Sequence, residues 1–135
     1  MATATAEMGW HANVVPSSQY DGIHANYNTN GVKESFGHLD FQVILPIEPK
    51  QTHAVIISLI ESIKQGKVYE EGVLYDGIIG FPMGFKRFVE CGREVLRLMI
   101  PDRLGRHPDD PECEEFFKIQ MNDFPFDDFA KERLH

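Results

Sequence analysis

The densest run of chemically capable side chains lies between Val95 and Pro108, VLRLMIPDRLGRHP. A mostly apolar stretch, Val95 to Ile100, delivers Asp102, Arg103, Arg106 and His107, and then Asp109 and Asp110. A buried strand that ends in a charged loop is one way to hold polar groups at a site. Arginine presents planar donors that suit carboxylate or phosphate. Asp102 can fix one arginine while the other faces a ligand, which makes Arg103, Arg106 and His107 candidate ligand-binding residues; Asn30 is a fourth candidate. The competing reading, and the favoured one, is that acids and arginines of the loop pair with each other and pin it to the sheet. The run is not a calcium loop. Counted from Asp102, its third and fifth positions are Leu104 and Arg106, and arginine cannot stand where an oxygen ligand belongs.

Six histidines supply the other candidates: His11, His24, His38, His53, His107 and His135. No pair has the i, i+4 spacing of a helical zinc site. His11, His24 and His38 fall in or near the first three expected strands, and their convergence would make a zinc or iron site. Three separately placed rings are the preferred reading. His11, His38 and Asp102 are the candidate catalytic residues for acid–base or metal-assisted chemistry, since a histidine titrating near neutrality suits proton transfer. Glycine-rich phosphate loops and nucleophile elbows are absent from the sequence.

These side chains need a scaffold, and the hydrophobic pattern outlines one. Met8 to Val15 reads as a strand, and Ile23 to Tyr27 as a short second one, with Asn26 to Gly31 loop-like. Leu39 to Leu45 puts Leu39, Phe41, Val43 and Leu45 on one face. From Pro49 to Gln65, Val55, Ile56, Leu59, Ile60 and Ile63 recur at three and four, which predicts the main helix (about 49–65). Pro49 suits its first turn and Gly66 its close. Phe81 to Val89 and Arg93 to Ile100 read as paired strands, the first near an edge because of Pro82. A short helix is expected within Glu112 to Met121. The fold class that follows is α+β, with a largely antiparallel sheet, one main helix and a short C-terminal helix. Residues 1–135 are expected to make one domain, with 1–7 frayed and 122–135 a strap that carries Phe124, Phe126 and Phe129 over the core.

Bulk properties narrow the partners. The chain has 135 residues, 42% of them hydrophobic and 25% charged, which suits one globular core. Its net charge of -8 disfavours nucleic acid and anionic membrane surfaces. Cys91 and Cys113 make no disulfide framework, and MATATAEMGW has neither basic residue nor apolar run. A cytoplasmic protein is the expectation. Edge pairing through Phe81–Val89 would allow a homodimer, although Pro82 and Lys86 guard that edge.

Several blocks in order resemble one bacterial family, known as domain of unknown function 4262. They are Gly9-Trp10-His11, the stretch from Thr29 to Pro46 (TNGVKESFGHLDFQVILP), the helix after it, and Ile100 to Pro111 (IPDRLGRHPDDP). The last is similar to the family's Pro-Asp-Arg-x-Gly-Arg-Phe-Pro loop. The resemblance covers about residues 9–120. Asn28 stands where the family commonly has tyrosine, Asn30 where it has histidine, and His107 where it has an aromatic residue. The resemblance implies a small α+β domain and no particular reaction. Three functions are thus expected in order: a binding or regulatory domain for an anionic small molecule or protein partner; an acid–base or metal-assisted enzyme; and an acidic immunity or inhibitor protein that neutralises a basic partner, as complementary charge speeds encounter.

Overall fold

A computed structural model describes residues 9–15, 26–45, 47–90 and 92–122. His24, residues 1–7 and residues 123–135 of the expected strap lie outside the described residues.

Five strands form one sheet in the order β1-β2-β3-β5-β4. They are β1 (His11–Val15), β2 (Asn26–Asn30), β3 (Asp40–Val43), β4 (Gly84–Glu90) and β5 (Arg93–Met99). The helices among the described residues are α1 (Val32–Phe36), α2 (Pro49–Lys64) and α3 (Glu115–Lys118), the last running into a 3-10 turn over Ile119–Met121. The α+β class and the main helix stand as the sequence indicates. The sheet is mixed, however: β3 and β5 run parallel, while the other three pairings are antiparallel. A long connection carrying α2 separates β3 from β5, and β4 joins β5 through a tight hairpin.

β2 replaces an expected loop. Its sequence, NYNTN, alternates: Tyr27 and Thr29 fall on one face, Asn26, Asn28 and Asn30 on the other. The low β-propensity of asparagine hides that alternation. Sequence periodicity also misses α1, whose five residues sit between Gly31 and Gly37. Gly31 has φ +98, and a Cβ there would come within 2.7 Å of the Gly9 carbonyl oxygen, so only glycine makes this turn beside β1.

One sheet face is apolar. Tyr27, Phe41, Val43, Phe85, Leu96 and Leu98 pack against Ile56, Leu59, Ile60 and Ile63 of α2. Each such buried aliphatic side chain is worth about 1.5–3 kcal/mol over an exposed one. On the other face, one level of the sheet is polar across all five strands. Asn13 lies opposite Asn28, Asn28 opposite Gln42, Gln42 opposite Arg97, and Arg97 opposite Lys86. Arg97 is 1% exposed. Its Nε donates to Gln42 Oε1 at 2.7 Å, its Nη1 donates to the carbonyls of Gln120 and Asn122, and its guanidinium stacks on Phe88. The 119–122 segment is thereby tied to the polar face. Gln120 completes the tie: its side chain accepts from Ile100 N–H at 2.8 Å and donates to Ile100 C=O at 2.7 Å.

Candidate functional site

The loop after β5 folds around one carboxylate. Asp102 is 1% exposed. Its Oδ1 accepts the N–H groups of Leu104 and Arg106 at 2.9 and 3.0 Å, and its Oδ2 accepts Arg106 Nε at 2.8 Å and Glu114 N–H at 3.1 Å. Burial alone would raise this acid's pKa. The backbone N–H groups of Arg106 and Glu114, with the Arg106 guanidinium and Leu104 N–H, overcome burial and hold it well below the usual carboxylate range. Gly105, at φ +82, allows the turn, and its missing Cβ leaves room for the Phe81 ring. Arg103 is largely exposed and forks onto Glu114, which holds that acid's pKa down in turn. Asp102 and Arg106 are thus bonded to each other within the loop, and Arg103 is bonded to Glu114 just before α3. Cys113 is buried against the same turn, and burial pushes its thiol pKa up.

Candidates from the first half of the chain sit elsewhere. β3 runs parallel to β5 with Asp40 beside Val95, so residues flanking Asp40 lie at the start of β5 and Asp102 at its far end. His11 pairs with Asn30 at that first end. His11, His38 and Asp102 therefore do not share one pocket. His38 has both ring nitrogens engaged. Its Nε2 accepts Tyr69 N–H at 3.1 Å, so the proton sits on Nδ1 and is donated to Leu39 C=O at 2.8 Å. It joins the 67–69 turn to the start of β3. His11 differs: its Nδ1 is buried and has no hydrogen-bond partner among the described residues. Asn30 donates to Asn28 Oδ1, which also receives Arg93 Nη2 at 3.2 Å, while Arg93 Nη1 lies 3.5 Å from Asp40 Oδ2. Thr29 Oγ1 and Val32 N–H donate to Asp40 Oδ1. This end is a connected polar network that ties β2, α1, β3 and β5 together. Among the described residues, no group of three His, Cys, Asp or Glu side chains is placed to hold a metal.

His107 alone among the loop candidates lines a cleft beside β4. This cavity of about 540 Å³ opens between the 71–74 loop, the start of β4, Met99 and the 107–109 turn. That size falls within the range of small-molecule sites. Its floor and walls include Leu74, Phe85, Met99 and Pro108, and its charged groups are Glu71, Lys86 and Asp109. Pro82 C=O can only accept, so His107 Nε2–H donates to it at 2.9 Å and the ring is oriented with Nδ1 as its remaining polar atom. Lys86 forms no hydrogen bond or ion pair with the described residues, and its ammonium stands 5.8 Å from the centre of the Phe88 ring. The Asp109 carboxylate likewise has no partner among the described residues. Glu71 is fixed, its Oε2 accepting Arg87 N–H at 2.9 Å. Sequence reasoning misses Glu71, Lys86 and Asp109 as a group because they come from three separate segments; the alternation of Lys86 with Phe85 is the one local signal.

No protein-family model matches the chain, and the searches of curated proteins and of solved structures found no match either. Among the described residues, no helix is long and apolar enough to cross a membrane.

Proposed function

We propose that this is a small binding domain of the cytoplasm, and that its cleft takes a small molecule carrying an anionic group. The observation behind this reading is Lys86: an ammonium without a carboxylate partner among the described residues, at the wall of a cleft with an apolar floor. Lys86 is half-buried, and a half-buried charge without a partner carries a desolvation cost that a bound anion would offset. Here the arginines of the neighbouring loop are paired and the lysine is not. His107, oriented by Pro82, supplies a second polar contact. In this reading the block from Pro101 to Arg106, which resembles the domain of unknown function 4262 pattern, is the wall that holds His107 in place.

Isothermal titration against a panel of carboxylate and phosphate metabolites tests the reading. Lys86→Ala should weaken binding of any hit by about tenfold or more, a charge-assisted contact being worth about 1.5–3 kcal/mol. His107→Ala should weaken it to a lesser degree. Arg103→Ala, which removes a pair outside the cleft, should leave it unchanged. Equal loss in Arg103→Ala and Lys86→Ala would move the ligand to the loop instead.

A further inference from the structure

We infer that the ligand of this cleft is a zwitterion with an apolar body, the chemistry of a free α-amino acid with an aliphatic or aromatic side chain. This rests on the cleft being the binding site, and it adds the charge pattern of what binds there. A pure anion would meet Lys86, but it would also face the carboxylates of Glu71 and Asp109 on the same walls. Like charges that line one cleft repel an anion bound there. A ligand that carries both a carboxylate and an ammonium answers both signs. Its carboxylate pairs with Lys86, and its ammonium with Asp109 and the outer oxygen of Glu71.

The acids divide the work. Glu71 accepts the Arg87 N–H through Oε2, which leaves Oε1 as an acceptor. The Asp109 carboxylate has no bond to the described residues to give up, so pairing it with an ammonium breaks nothing there. The apolar floor then receives the rest of the ligand. Leu74, Met99 and Met121 are the side chains that would hold an aliphatic or aromatic group. Opposed charges around an apolar floor give selectivity as well as attraction, since a ligand lacking either charge leaves one protein group unanswered.

The test is titration calorimetry of the full chain with four probes: leucine, phenylalanine, 4-methylpentanoate (leucine without its ammonium) and isopentylamine (leucine without its carboxylate). Leucine or phenylalanine should bind at least about tenfold tighter than the acid or the amine. Asp109→Asn should erase the advantage over the acid, and Lys86→Met the advantage over the amine. Both side chains stand clear of the core, and an unchanged thermal midpoint checks that each variant is folded. If 4-methylpentanoate binds as tightly as leucine and Asp109→Asn changes nothing, the zwitterion inference is overturned while the anion-binding reading survives. The same holds if the anionic metabolites bind and none of the four probes does. If neither set binds, both are overturned.

Discussion

At the scale of single residues, Asp102 sets the terms. A carboxylate with four donors is a staple, and its low pKa is the thermodynamic signature of that role. Its folded pKa lies below the value of about 3.9 expected in an unfolded chain. The stability it contributes is therefore fully present above about pH 4–5 and is lost as pH falls further toward the folded pKa. Asp102→Asn keeps the shape but presents an amide to four donors. Urea midpoints of the two proteins should differ most at neutral pH, and the gap should narrow as pH falls below about 4 toward the folded pKa. A gap that stays constant across that range would deny the carboxylate its proposed role. Tyr27 shows the opposite shift: burial pushes its phenol up to about 12, so the hydroxyl stays protonated beside His53 Nδ1, 2.8 Å away.

Secondary-structure elements differ in how plainly the sequence announces them. α2 is legible because its five large aliphatic residues repeat at helical spacing and nothing else in the chain competes for them. β4 and β5 are legible from apolar alternation. Asn26 to Asn30 misleads because asparagine signals turns more strongly than it signals strands, yet Tyr27 and Thr29 carry the period of two. The parallel pairing of β3 with β5 leaves no local mark, since register between distant strands depends on the route of the chain. The loop's pinning pairs can be expected in kind from its mix of acids and arginines. The cleft cannot, because its charges converge only once β4 lies beside the 107–109 turn. Gln120 illustrates an element built by a side chain. Its amide offers Ile100 the donor and acceptor that a neighbouring strand would have supplied. Gln120→Ala should cost about 1–3 kcal/mol and should speed amide exchange at Ile100. Exchange at Ile100 equal to wild type would show that another group fills the place.

On the scale of the whole molecule, protection should follow strand order. β3 and β5 are central, and Phe41, Leu96 and Leu98 are at most 1% exposed. Elements with the most buried contacts open only with the global unfolding transition. Hydrogen–deuterium exchange should therefore be slowest at Phe41–Val43 and Leu96–Leu98 and faster along β1 at the edge. Faster exchange in β3 than in β1 would contradict the strand order. The β4 edge is occupied in its own way. Arg87 N–H donates to Glu71, Gly72 N–H donates to Phe85 C=O at 3.4 Å, and Tyr75 bridges Met83. The 71–75 loop thus occupies part of the edge that a second chain would need for pairing.

Trp10 is the only tryptophan in the chain, and its buried ring lies 5.6 Å from the ring of His53 on α2. Light emitted by this protein under indole excitation therefore comes from a single place, the seam between β1 and the main helix. The emission colour of the protein should accordingly report whether the helix is seated, with no label attached.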